Sequence, residues 1–124
     1  MQEYLRYFKD KVLSVPGTTP LEFTEGPEAF KEAIQFLKTQ LKLEPLKWSD
    51  ELHYATTDHY RDLSSNEVFS HTGSDKSTFK QRIERYCTWG GTIFEAMDFA
   101  PRESAVDVVI AWLVDDGNPK RTHR

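Results

Sequence analysis

Cysteine is almost absent from this chain. Cys87 is the only one among 124 residues, so no disulfide can close within it. Small secreted domains often carry such cross-links, but many do without them, so composition leaves the compartment open. Long apolar runs are missing as well. Nothing approaches the roughly 20 residues that a membrane-spanning helix needs. The opening Met1-Gln2-Glu3-Tyr4-Leu5-Arg6 has charges where a signal peptide would be apolar, so no targeting segment is visible. No basic stripe dominates any segment and the formal net charge is −4, which argues against a nucleic-acid surface. The closing Lys120-Arg121-Thr122-His123-Arg124 is basic but short. There is no internal repeat and no low-complexity tract.

What is present is a length suited to about one domain with its own core, and mostly helical patterning. Leu5, Phe8 and Val12 predict a first helix over 2–13. Pro16, Gly17, Pro20 and Gly26 mark a loop. Pro27 suits the first turn of a second helix running to Leu43, with Phe30, Ile34, Leu37 and Leu41 as its stripe. Ser49 is a good N-cap, and Asp50 and Glu51 favour the first turn of a third helix. Leu52, Ala55, His59 and Leu63 share one of its faces, and Ser64-Ser65-Asn66 closes it. A short helix is expected over Ser77–Tyr86 and a turn at Trp89-Gly90-Gly91. Thr92 to Phe99 reads as a strand ended by Pro101. The last helix, Arg102 to Val114, is apolar nearly all round, which predicts burial on more than one side.

Two loop histidines stand out, with carboxylates between them. His71 opens His71-Thr72-Gly73-Ser74-Asp75, Glu95 lies in the expected strand, Asp115 follows the last helix, and His123 comes near the end of the chain. Two imidazoles and one or two carboxylates could bind a divalent metal or a polar ligand. The plain readings are just as physical. A loop histidine often only hydrogen-bonds, Glu95 could face solvent, Asp115 and Asp116 could serve the turn at Gly117, and the segment carrying His123 is expected to fray. His59 reads as a satisfied core histidine, His53 as exposed, Cys87 as an ordinary small residue, and the tryptophans as core.

Leu46-Lys47-Trp48-Ser49-Asp50-Glu51-Leu52, with Ala55 and His59 after it, resembles the opening of a CAP domain, the superfamily of cysteine-rich secretory, antigen 5 and pathogenesis-related proteins. His71-Thr72-Gly73-Ser74-Asp75 resembles the family's first histidine motif. Arg82, Tyr86 and Gly90-Gly91 match the arginine and glycine stretch that follows. Phe94-Glu95-Ala96 stands where the family has Gly-Glu-Asn. Trp112-Leu113-Val114-Asp115-Asp116-Gly117 and Thr122-His123-Arg124 are similar to a microbial and protist variant. Phe94, Ala96, Thr122 and Asp115 depart from the family pattern. The resemblance covers about Leu46 to Arg124.

The resemblance implies an α/β fold, a CAP-type α-β-α sandwich that is helix-rich here and lacks its final strands. Residues 1–45 would be a helical N-terminal extension and residues 46–124 the CAP domain. It implies a noncatalytic, secreted, extracellular binding domain in which His71, Glu95, Asp115 and His123 face one cleft. That cleft would take a divalent metal, zinc by its ligand type, through His71 and His123, and the domain a small lipid or sterol. An incomplete sheet would leave an edge open to a protein partner or to self-association. Two other readings stay open: a metal-assisted hydrolase with Glu95 as general base, and a helical module that binds a protein through the Phe30, Ile34, Leu37 and Leu41 stripe.

Overall fold

Asp10 decides how the chain begins. It takes a left-handed backbone, φ 54°, which aspartate tolerates better than most side chains. The expected helix over 2–13 therefore stops early. In the computed structural model, which describes residues 1–124, a 3₁₀ helix spans Gln2–Tyr7 and a hairpin follows. Its strands are β1, Phe8–Lys9, and β2, Val12–Leu13, paired antiparallel with Phe8 opposite Leu13. β3, Leu21–Glu22, adds to β2 with Leu13 opposite Leu21, so the strand order is β1-β2-β3. Period-2 alternation turns Leu13 inward and Val12 outward.

The chain divides into two compact units, Met1–Leu43 with Ala100–Arg124, and Glu44–Phe99. The first holds the small sheet and two helices, α1 over Pro27–Thr39 and α4 over Ala105–Val114. Gly26 precedes α1 at φ 66°, where a side chain would also crowd Asp10 and Lys11. α1 ends four residues before the expected Leu43, so Leu41 lies beyond it. Its buried face is Ala29, Phe30 and Ala33, whereas Leu37 and Leu41 are exposed. The two alanines leave room for a close neighbour, and α1 packs against α4. Phe30 sits at the centre of an aromatic cluster, edge-on to Tyr4, Phe8 and Phe23 at 5.2 to 6.2 Å between ring centroids. Val114 completes this core. α4 starts at Ala105 rather than Arg102, where the Ser104 hydroxyl accepts the Asp107 N–H. It is not buried all round: only Val114 is fully buried, and Val106 and Val109 face outward.

The second unit pairs α2, Asp50–Asn66, with α3, Phe79–Glu84. Ser49 caps α2 as expected, accepting the Leu52 N–H, and Ala55, His59 and Leu63 are its buried residues. Leu52 is exposed instead of joining them. α3 is shorter than the expected Ser77–Tyr86 because Thr78 and Gln81 form a capping box at its start. The tryptophans do not all join a core, since Trp48 is 76 % exposed. The expected strand over Thr92–Phe99 is absent. Ile93, Glu95 and Met97 are half-buried and Phe94 and Ala96 exposed, so the alternation of a strand exists without any strand to pair with. The fold is thus α/β, with four α-helices and one three-stranded antiparallel sheet.

Candidate functional site

In the second unit the loop carrying His71 is built by side chains that accept backbone donors. Ring nitrogen Nε2 of buried His59 donates to the Ser70 carbonyl at 3.0 Å. His59 is core as expected but only half satisfied, since its Nδ1 has no protein partner. Asp62 on α2 accepts the Ser74 N–H at 2.8 Å and the Ser74 hydroxyl. Asp75 accepts the Ser77 N–H at 2.9 Å and an Arg85 N–H at 2.6 Å. These bonds hold both carboxyls below the usual range, Asp62 through Ser74 and Asp75 through Ser77 first and Arg85 next.

Arg82 on α3 then joins three pieces of chain. Its Nη1 donates to the carbonyls of His71 and Ser77 at 3.1 and 3.0 Å. Its Nη2 donates to Glu95 Oε2 at 2.7 Å. The other carboxylate oxygen, Oε1, accepts from His71 Nδ1 at 2.8 Å. The Arg82 side chain is 4 % exposed, Glu95 21 % and His71 56 %. Glu95 is therefore fixed by Arg82 and His71, not by a strand ladder. Both of its oxygens are engaged, Oε2 by Arg82 and Oε1 by His71.

The first unit repeats the arrangement with different parts. Asp115 ends α4 in a left-handed conformation, φ 49°. It accepts the His123 backbone N–H at 3.1 Å and His123 Nδ1 at 2.8 Å. Asn118 donates to the same carboxylate at 3.0 Å. Burial pushes the Asp115 carboxyl up, but the bonds from His123 outweigh it and the net displacement is downward.

The segment around His123 is anchored rather than frayed. Arg121 donates to the Asp115 carbonyl at 2.7 Å and forks onto Glu25 and Glu32 at 2.6 and 2.7 Å. Arg124 donates to the Leu113 carbonyl and to Glu32 and lies over the Phe36 ring. Glu25 is held down to about 2 by the Arg121 guanidinium and the Gly117 N–H, and Arg121 is raised correspondingly. Asp116 does more than serve the turn at Gly117, since it accepts the backbone N–H groups of Thr24 and Glu25.

The four candidate residues thus fall into two pairs, His71 with Glu95 and His123 with Asp115, each within its own unit. In both, a carboxylate takes Nδ1 and leaves Nε2 as the nitrogen open to a ligand, the orienting role a carboxylate plays behind a ligating imidazole. Neither unit gathers three or more His, Cys, Asp or Glu side chains in metal-binding range. The first unit also contains an open, mainly apolar groove of about 430 Å³, walled by Leu13, Val15, Leu21, Phe30 and Ile110. Tyr4 and Asp107 meet in it at 3.4 Å. Neither the groove nor the Arg121–Glu25–Glu32 network is readable from sequence. The basic tail and the acids of α1 are visible there, but partners 89 to 96 residues apart carry no local signal.

The model of the CAP family, described as the cysteine-rich secretory protein family, matches residues 5–124. The match takes in both units and most of the first 45 residues. No curated protein and no solved structure gives a match. No helix is long and apolar enough to cross a membrane. The chain belongs to the CAP family, whose members are generally secreted or extracellular and generally not classical enzymes.

Proposed function

We propose that this CAP-family chain is a secreted, noncatalytic binding domain that presents His71 and His123 to a ligand. One observation carries this reading: in both pairs the carboxylate holds Nδ1 of a partly exposed imidazole, so Nε2 is the nitrogen left for a ligand. Glu95, engaged by Arg82 and His71, supports presentation rather than hydrolysis. On this reading the helices and small sheet belong to the family's α-β-α sandwich.

A divalent cation fits these residues only in part. A structural zinc takes four ligands and a catalytic one usually three from the protein, and each unit offers a single oriented imidazole. A resident metal held within either unit alone does not fit. A cation carried in by a ligand, or shared with its donors, would bind through Nε2 of His71 or His123. The groove supports a second ligand class, since its volume and apolar walls suit a small lipid or sterol.

Calorimetric titration of the full chain with zinc held in nitrilotriacetate, a chelate that supplies the other donors and leaves a position for an imidazole, and with a fluorescent sterol in a parallel arm, tests the reading. Zinc heat that falls with His71→Ala and with His123→Ala is the expected result. No heat, or heat unchanged by both variants, removes the metal part. Ala111 on α4 also lines the groove, and sterol uptake that a bulky Ala111→Trp variant leaves intact removes it.

A further inference from the structure

We infer that the aromatic row on α2 and α3 is a docking surface for the guanidinium and ammonium groups of a basic peptide segment in a partner protein. Four rings follow one another in the second unit. Trp48 lies 5.2 Å from His53, His53 is 6.0 Å from Tyr54, and Tyr54 is 5.9 Å from Tyr86, between ring centroids. Trp48 lies just before α2, His53 and Tyr54 on its first turns, and Tyr86 just after α3, so two elements build the row.

Part of the row has a purely structural reading. Trp48 precedes the N-cap Ser49, and His53 lies on the first turns of α2, so their contact is a staple that fixes how the chain enters the helix. Trp48 is nevertheless 76 % exposed and Tyr54 54 %, far more than a staple needs. Large aromatic surface left in water at one place marks an interaction site more often than chance exposure does.

The charge around the rings selects the partner. Trp48 Nε1 donates to Asp50 at 2.8 Å, and the Tyr86 hydroxyl donates to Asp58. Both polar tips are thus tied to carboxylates. A carboxylate beside a ring deepens the negative potential that a cation over the ring face seeks. Arg85 and Arg61 both act on Tyr86, and Arg85 is already paired with Asp75. Residues 44–99 hold ten acidic and six basic side chains, so the whole formal charge of −4 falls in this unit. An anionic partner would be repelled and an apolar one would strand the carboxylates. A basic peptide satisfies both the rings and the acids, and the field of the unit would steer it in. The surface does not involve His71, Glu95 or the groove, so it stands apart from the function proposed above.

The test is calorimetry of the full chain with a short oligoarginine peptide, beside an oligoglutamine peptide of equal length. The wild type should bind the first and not the second. Trp48→Leu and Tyr54→Leu keep apolar bulk and all charges but remove a π face, and each should weaken binding roughly threefold to thirtyfold. Circular dichroism checks that they fold. If Trp48→Leu loses its staple and unfolds, Tyr54→Leu on the exposed helix surface carries the test alone. Absence of binding by the wild type overturns the inference. So does binding that the folded leucine variants leave unchanged, because it would be attraction to the acidic surface at large.

Discussion

Arg82 places a guanidinium, 4 % exposed, among three acceptors: the carbonyls of His71 and Ser77 and the carboxylate of Glu95. A buried charge that loses its counter-charge is costly, about 3–5 kcal/mol where both partners are fully enclosed. Glu95 keeps 21 % of its side-chain surface in water, so solvent recovers part of that. Glu95→Gln should therefore cost about 1–3 kcal/mol in urea unfolding. Arg82→Lys should not substitute for arginine, since an ammonium cannot reach two carbonyls and a carboxylate through one planar fork. Glu95→Gln at wild-type stability would show that the pair is ornamental. The sequence makes His71, Glu95, Asp115 and His123 visible through their motifs. It also shows Arg82 as a motif residue without showing its task. Two of the three acceptors of Arg82 are backbone carbonyls, and their position depends on how the loop 70–78 closes.

The loop is where element-scale reading and physics agree best. The sequence shows Gly73 as part of the histidine motif, and the structure gives the reason for a glycine. A Cβ there would lie 2.7 Å from Asp75 Oδ1 and 2.8 Å from Ser77 Oγ, with Asp62 Oδ2 at 3.3 Å. The Asp75 and Asp62 oxygens are held in place by the Ser77 and Ser74 N–H groups, so they cannot swing aside freely. Gly73→Ala should destabilise the chain by about 1–3 kcal/mol, the usual range for overpacking, and loosen the loop so that His71 no longer meets Glu95. Loss of the His71–Glu95 hydrogen bond, seen as a shifted imidazole nitrogen resonance, reports the second effect separately from thermal melting. A variant that melts like the wild type with that resonance unmoved contradicts both. Other elements are less legible. The stripe Phe30, Ile34, Leu37 and Leu41 has perfect helical spacing, yet Phe30 is buried with Ala29 and Ala33 while Leu37 and Leu41 stay exposed. Periodicity marks a face and cannot say how close a partner comes. Thr92–Phe99 has strand periodicity, but a strand exists only where another backbone accepts its hydrogen bonds. The residues that do pair, at Phe8, Val12 and Leu21, lie in segments of two residues, too short for any period to show.

At the scale of the whole chain, the first unit must join residues 1–43 to residues 100–124, and ion pairs link the two segments beside their shared core. Arg121 reaches Glu25 across 96 positions and Glu32 across 89. Asp116 reaches Thr24 across 92. Closing so long a span opposes folding through chain entropy, so bonds that exist only in the closed state should govern stability where their charges titrate. Glu25 supplies the clearest case. Its carboxyl stands at about 2 when folded against an ordinary 4.5, while Arg121 stays charged throughout. A depressed carboxyl stabilises the fold fully above its unfolded value and loses that contribution as pH falls toward its folded value. Glu32 and Asp115 are displaced in the same direction and add to the same acid-side loss. Stability should hold from neutral pH down to roughly pH 5 and then fall steadily toward pH 2. Glu25→Gln carries no titrating charge. It should be less stable than the wild type at neutral pH, fall less steeply through the acid range, and meet the wild-type curve near pH 2. Urea midpoints measured across that range decide the point. Parallel curves for the two proteins would mean that the Arg121–Glu25 pair does not hold the two ends of the chain together.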